Sequence, residues 1–206
     1  MSRALPSERE LGGLRKAVVD AGHAAGRVLL RYFGRNFEVR KKDQAGLVTD
    51  ADLEAEAAAL RVLKKARPDF GFLAEESGSS RQAGEGRWIL DPLDGTTNFV
   101  HGFPMFCVSI AAEWRDRVVA GCIFHPVLDE TYWAVRGQGA YIGKRRMSVS
   151  KTKKLGESLL TTGFTYRKKE LPLEIGNLRS DFLSGDWSRN VSPHPPSPPP
   201  GPAAPP

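Results

Sequence analysis

Cysteine and long apolar runs are scarce in this chain of 206 residues. Its two cysteines, Cys107 and Cys122, are too few for a disulfide framework and lack the spacing of a zinc site. No apolar run approaches the roughly 18 residues of a membrane span, and residues 1–10 contain no continuous apolar stretch. We therefore expect a cytoplasmic, soluble protein with no membrane partner, whose thiols are reduced and buried in apolar strands.

The chain also lacks any long run of basic residues, although its formal net charge is +6 and its isoelectric point is near 9.5. A positive field of this kind attracts phosphate, nucleic acid or an anionic surface without choosing among them. The basic residues occur in short separated groups, which is typical of solvated surface, so nucleic-acid binding is not expected. These groups are Lys41–Lys42, Lys64–Lys65, Arg145–Arg146 and Lys151 with Lys153 and Lys154.

Apolar periodicity predicts two helices at the start of the chain. Apolar residues recur at three- and four-residue steps from Glu8 to Phe33, and Gly34 follows as a C-terminal cap. After an extended piece at Phe37–Lys41, Thr49 is placed to cap a second helix that runs towards Pro68. Five strands with Gly, Pro and Asp-rich turns come next, so we expect an α+β layered fold with a mostly antiparallel sheet. The predicted strands are Phe70–Leu73, Trp88–Leu90, Phe106–Trp114, Val118–Phe124 and Thr131–Val135.

Proline is concentrated at the far end of the chain. Nine of the fifteen prolines lie between Ser192 and Pro206, where there is almost no apolar side chain to bury. Such a segment favours polyproline II or disorder over a packed element. We therefore predict a globular domain over 8–187 and a Pro-rich tail over 188–206.

Acidic residues stand at the ends of predicted apolar strands, where an unneutralised carboxylate is costly. Glu75 and Glu76 follow the strand Phe72–Ala74, Asp91 ends the strand Trp88–Leu90, and Asp94 lies in the following turn. Burial and mutual repulsion disfavour such groups unless a cation neutralises them, and Mg²⁺ prefers oxygen ligands. Gly95 and Thr96 then open a short predicted helix whose amides could hold phosphate. The alternative reading of this peptide is an Asx-type turn followed by a helix cap.

The segment Asp91-Pro-Leu-Asp-Gly-Thr-Thr-Asn-Phe-Val-His101 closely resembles the first signature of the inositol monophosphatase family. Phe72–Ser77 resembles the upstream Gly-Glu-Glu-Ser element of the family, and Leu47–Asp52 resembles its earlier Leu-Val-Thr segment. The resemblance extends over roughly residues 11 to 182. It implies a layered α/β sandwich of the inositol monophosphatase and fructose-1,6-bisphosphatase type, of which this chain is the N-terminal portion.

The resemblance also implies roles for individual residues. Glu75, Asp91, the Leu93 carbonyl and Asp94 would bind Mg²⁺, with Asp52 near an outer ion. Thr96, hydrogen-bonded towards Glu75, would help to orient and deprotonate the attacking water, so that Glu75, Thr96 and Asp52 form the catalytic group. Asp94, Gly95, Thr96 and Lys41 would contact the substrate phosphate. In-line hydrolysis between two cations requires no cysteine or histidine nucleophile.

The chain departs from the family pattern downstream. The second signature, Trp-Asp-x-Ala-Ala-Gly, is absent, and Gly185-Asp186-Trp187 has a different order. Our hypothesis is that the sequence after about Trp187 is a truncated or frame-shifted reading, because the change to proline is abrupt. A chain without the downstream aspartate is expected to keep one Mg²⁺ site but to have little activity.

The expected activity is therefore Mg²⁺-dependent hydrolysis of a small phosphate monoester, with inositol monophosphate as the leading substrate. Histidinol phosphate, fructose bisphosphate and phosphoadenosine phosphate are alternatives within the same class. A non-catalytic metal- and phosphate-binding remnant is an alternative from another class. The resemblance also implies a homodimer.

Overall fold

The computed structural model describes residues 5–35, 39–41, 47–82, 84–154 and 157–159, with the backbone alone at 39–41, 47 and 48. Contacts divide the chain into two compact units, Met1–Met147 and Ser148–Pro206. In the second unit, Lys154 forms an exposed ion pair with Glu157. The predicted domain over 8–187 and tail over 188–206 stay predictions, because the boundary between them lies outside the described residues.

Both predicted helices are present and begin with the capping geometry their sequences favour. Helix α1 spans Glu8–Tyr32, and Ser7 and Glu10 form a reciprocal capping box at its start. Gly34 follows its end with a φ of 76°, a left-handed conformation that glycine adopts at little cost. Helix α2 spans Asp50–Ala66 and is capped by Thr49, as predicted.

Within the described residues, eight strands form one sheet and two short strands form another. The small sheet pairs β1 (Val39–Lys41) with β2 (Leu47–Thr49) in antiparallel fashion. The large sheet has the order β10-β9-β8-β7-β6-β5-β3-β4, and among these described strands β3 and β5 form the single parallel pair. Its strands are β3 (Gly71–Ala74), β4 (Gly78–Ser80), β5 (Gly86–Asp94), β6 (Cys107–Trp114), β7 (Arg117–His125), β8 (Glu130–Val135), β9 (Gly139–Ile142) and β10 (Arg145–Arg146).

The five predicted strands correspond to β3 and β5 to β8, whereas β4, β9 and β10 were not predicted. Glycine and serine make up β4, and these residues give no strand signal. The hairpin between β6 and β7 turns on Arg115 and Asp116 alone, with φ of 49° and 63°. Arg117 is the first residue of β7, one residue before the predicted strand start at Val118. Two left-handed residues match the twist of the flanking strands.

Both long helices pack on the same face of the large sheet. Helix α1 contacts β6, β7 and β8, and α2 contacts β5 and α1. The alternate residues Val108, Ile110 and Ala112 of β6 are buried, whereas their neighbours on the opposite face are half-buried. A core between helices and sheet follows, and the short helix α3 (Thr96–Val100) contributes Phe99 to it. None of the described helices is long and apolar enough to cross a membrane.

Candidate active site

The parallel pairing of β3 with β5 brings two of the predicted acidic residues together at the end of β3. Ala74 of β3 is paired with Leu90 of β5, so the next residues, Glu75 and Asp91, lie side by side. The Glu75 amide donates to the Leu90 carbonyl at 3.2 Å and fixes this arrangement. The two side chains are also hydrogen-bonded to each other. Strand pairing therefore brings together two residues that are 16 positions apart in the sequence.

A bulge in β5 positions the next acidic residue. Asp91 was predicted to end the strand, but β5 continues to Asp94. Asp91 pairs with Ser109 and Asp94 pairs with Cys107, so β5 has one more residue than β6 between these points. Pro92 lies within this segment and has no backbone donor, and strands tolerate proline at a bulge. The bulge places Asp94 near Asp91 instead of leaving it in a separate turn.

The surroundings of Asp91 shift the pKa of its carboxyl group. Burial, the charge of Glu75, the hydrogen bond with Glu75 and the charge of Asp94 together raise the pKa of Asp91 to about 8. The Leu93 amide opposes this shift by donating to Asp91 Oδ1 at 3.1 Å. The pKa of an ordinary aspartate is about four units lower, so burial and the two neighbouring carboxylates together strongly disfavour the anionic form of Asp91.

Asp94 is exposed and accepts a weak hydrogen bond from the Cys107 thiol, with 3.8 Å between Sγ and Oδ2. Among the described residues, no group of three or more His, Cys, Asp or Glu side chains is gathered closely enough to hold a metal ion. Glu75 and Asp91 are already together, whereas the Asp94 carboxylate is directed towards Cys107. Binding of an ion by all three carboxylates therefore requires the Asp94 side chain to change its orientation.

Asp52 and Thr96 form a second polar group beside this cluster. Asp52 is only 1% exposed, and its Oδ2 accepts from the Thr49 amide at 2.8 Å and the Thr49 hydroxyl at 2.5 Å. The Thr96 hydroxyl lies 3.0 Å from the Leu93 carbonyl and 3.4 Å from Asp52 Oδ1, and it can donate to either acceptor. The resemblance placed this hydroxyl towards Glu75, and the contacts described here differ. The capping box on α2 holds Asp52 within reach of Thr96, which explains the difference.

The structure locates the two other predicted phosphate contacts only in part. Gly95 precedes α3 with a φ of 95°, and an added Cβ would lie 3.0 Å from the Met105 carbonyl oxygen. A side chain is therefore disfavoured both by backbone conformation and by space. Lys41 is the last residue of β1, and its side chain lies outside the described part of the chain.

Glu56 is a further residue that the sequence analysis missed. It is 4% exposed on α2, and its carboxylate accepts from the amides of Glu76 at 2.9 Å and Ser77 at 3.0 Å. These two bonds hold the turn that carries Glu75. The signal in the sequence was an acidic residue four positions after Asp52, on the same apolar face of the helix.

Neither cysteine is suited to act as a nucleophile. Burial is the main cause that raises the pKa of both Cys107 and Cys122 to about 12. The reactive thiolate is therefore rare near neutral pH.

The donor set fits a hard divalent cation. Glu75, Asp91 and Asp94 supply carboxylate oxygens and Leu93 supplies a carbonyl, which is the chemistry that Mg²⁺ prefers. Burial first, and then the charges of Glu75 and Asp94, raise the pKa of Asp91, and a bound cation would offset both effects by stabilising its anionic form.

Known proteins share sequence and fold with this chain. The chain is 44% identical over 156 residues to an inositol-1-monophosphatase of Mesorhizobium japonicum, which covers 74% of this chain and 59% of the relative. A crystal structure of the extragenic suppressor protein suhB from Bartonella henselae matches with a TM-score of 0.76 and 41% identity, covering 82% of this chain and 66% of the other. An inositol monophosphatase structure from Anabaena matches with a TM-score of 0.69 and 38% identity, covering 79% and 60% respectively.

The curated relatives are longer than this chain, which spans 59% of the Mesorhizobium protein and 58% of the corresponding protein from Rhizobium meliloti. Their fold is the layered α+β fold predicted from the sequence, and the helices and mixed sheet described above belong to it. The profile of the inositol monophosphatase family matches residues 11–185. With this match and the identities above, the chain belongs to the inositol monophosphatase family.

Proposed function

We infer that this chain carries the metal- and phosphate-binding part of a Mg²⁺-dependent phosphatase that hydrolyses a small phosphate monoester. The observation that carries the proposal is the cluster of Glu75, Asp91 and Asp94, in which Asp91 has a pKa of about 8. Family membership supports the phosphatase class. Inositol monophosphate is the proposed substrate, since three relatives at 40 to 44% identity are named inositol-1-monophosphatase.

Each group of the cluster has a distinct proposed task. Glu75, Asp91, the Leu93 carbonyl and, after a rotation, Asp94 would hold magnesium. Bound magnesium would supply positive charge to the phosphate oxygens and lower the pKa of a water at the site. Gly95, Thr96 and Lys41 are proposed to contact the substrate phosphate.

Thr96 and Asp52 are proposed to orient the attacking water. Because the Thr96 hydroxyl donates its proton to Asp52 or to the Leu93 carbonyl, its oxygen is left to accept a hydrogen bond from a water. Asp52 is an effective acceptor here because the Thr49 capping interaction fixes its carboxylate. A proton leaving the water would then be passed through Thr96 Oγ1 towards Asp52 Oδ1. The buried position of Asp52 keeps this route apart from bulk solvent.

The test is phosphate release from inositol 1-phosphate during a magnesium titration of the purified chain. We expect weak magnesium-dependent turnover that Asp94→Asn abolishes with the fold intact. Asp69→Asn is the matched control, because it also removes one carboxylate charge. Asp69 lies before the start of β3, whereas Glu75 of the cluster follows the end of this strand. Equal activity in Asp94→Asn and the unmodified chain would overturn the assignment of the site.

Two parallel measurements separate the alternatives. Calorimetry with magnesium and inositol 1-phosphate that shows binding without turnover would favour a non-catalytic module. Faster turnover of histidinol phosphate, fructose bisphosphate or phosphoadenosine phosphate would keep the phosphatase class and replace the substrate.

A further inference from the structure

A groove with a volume of about 970 Å³ is lined by residues of α1 and α2. It follows α1 from Gly13 to Arg31 and α2 from Ala58 to Ala66. At about 1.5 Å per helical residue, the α1 wall is about 27 Å long and the α2 wall is about 12 Å long. The groove therefore follows α1 for five helical turns and α2 for little more than two.

Positive charge borders this groove on both helices. Its cationic side chains are Lys16, Arg27, Arg31, Arg61 and Lys65, and Asp20 is the one acidic residue among those that line it. Lys16 pairs with Asp20 and Arg31 pairs with Glu54.

Three of the cations have no such neutralisation. Arg27, Arg61 and Lys65 are exposed and form no ion pair in the part of the chain that the structure describes. Arg27 precedes Arg31 by four residues, and Arg61 precedes Lys65 by four, so like charges are neighbours on each helix. Such pairs repel one another, and an anionic partner would relieve the repulsion on both walls.

The floor of the groove is apolar and made of small side chains. It is formed by Ala17, Ala24, Val28, Ala58 and Val62. No Phe, Tyr or Trp lines it, and the ring of His23 packs against Phe124 and is hydrogen-bonded to Thr131. Single-stranded nucleic acid is usually held by aromatic stacking in addition to charge, and this groove offers the charge alone. An apolar floor between cationic walls instead complements a helix with one apolar face and acidic flanks.

We propose that the α1–α2 groove docks an acidic amphipathic helix from a partner protein. The small side chains of the floor allow close approach of a helix, and the unpaired cations flank its acidic residues. Helix packing brings together basic residues that are far apart in the sequence. The amino-acid composition alone did not indicate this cluster. This surface is separate from the acidic cluster, so the proposal does not depend on phosphatase activity.

The experiment measures binding of fluorescent probes to the full chain by anisotropy. The first probe is a helical peptide of about 18 residues, matching the groove length, with leucine and alanine on one face and glutamate on its flanks. A scrambled peptide of the same composition tests the amphipathic pattern, and a single-stranded RNA tests charge alone. The variant is Arg27→Gln/Arg61→Gln/Lys65→Gln, and the matched control is Arg81→Gln/Arg117→Gln/Arg145→Gln, which removes the same charge from exposed positions in or beside the large sheet.

We expect the helical peptide to bind more tightly than both other probes, and more weakly as salt rises. The groove variant should weaken it about tenfold, since each exposed ion pair contributes a factor of roughly two. The control variant should change affinity by less than about twofold. Equal binding of the scrambled peptide, tighter binding of RNA, absence of peptide binding, or equal weakening by the control would each overturn the proposal.

Discussion

Replacing Glu56 by glutamine removes the buried charge that holds the Glu75 turn in place. The carboxylate accepts two backbone N–H groups, from Glu76 at 2.9 Å and Ser77 at 3.0 Å. Glutamine has only one side-chain oxygen, so one of these donors loses its acceptor and the other loses charge assistance. We expect the free energy of unfolding to fall by about 2 to 4 kcal/mol, because hydrogen bonds to charged groups contribute about 1.5 to 3 kcal/mol each.

Glu54→Gln is the matched control on the same helix. Glu54 accepts from Tyr32 and pairs with Arg31, but its side chain is 53% exposed. Water can replace these contacts, so the control should lose less than about 1 kcal/mol. Urea unfolding followed by circular dichroism measures both variants. Similar losses in the two variants would refute the reasoning, since burial of Glu56 is the basis of the difference.

Three further predictions follow from other parts of the structure. Gly26→Ala should destabilise the chain by about 1 to 3 kcal/mol, because the added Cβ would lie 2.4 Å from Phe124 Cε1. The Cβ added by Gly12→Ala meets nothing within 4 Å, so this variant should stabilise the chain by up to about 1 kcal/mol. Thermal melts of the two variants check the difference. Alkylation of Cys107 and Cys122 at pH 8 should be at least about a hundredfold slower in the native chain than in urea, because the pKa of each thiol is raised to about 12, and mass spectrometry follows the reaction. The Arg67 guanidinium lowers the pKa of Asp69 from its ordinary value of 3.8. At a pH above 3.8 the pair should stabilise the fold by about 0.5 kcal/mol, and this contribution is lost as the pH falls through the lowered pKa. Asp69→Asn should therefore reduce the urea midpoint at pH 7, and by progressively less as the pH falls below 3.8.

Local sequence rules were sufficient for the helices and for the long strands. The Thr49 and Asp52 capping box was predictable because both partners lie within one turn of the chain. Strands β4 and β10 were not predictable, because their residues have little intrinsic strand preference and pair only where a neighbouring strand is already in place.

The acidic cluster was predictable as a set of residues but not as a geometry. Glu75 meets Asp91 because β3 and β5 are parallel, and nothing local in the sequence specifies that pairing. The bulge that continues β5 to Asp94 was read as a turn, since Asp, Pro and Gly are typical of both. Glu56 was missed because its role depends on amides twenty residues away.

The central claim is that the Glu75, Asp91 and Asp94 cluster binds a divalent cation. Calorimetric titration of the chain with magnesium, beside Asp91→Asn and the control Asp69→Asn, tests it most directly. We predict saturable binding that Asp91→Asn weakens at least about tenfold, since it removes a ligand charge, and that Asp69→Asn leaves unchanged. Equal affinity in Asp91→Asn and the unmodified chain, with both variants folded, would contradict the account.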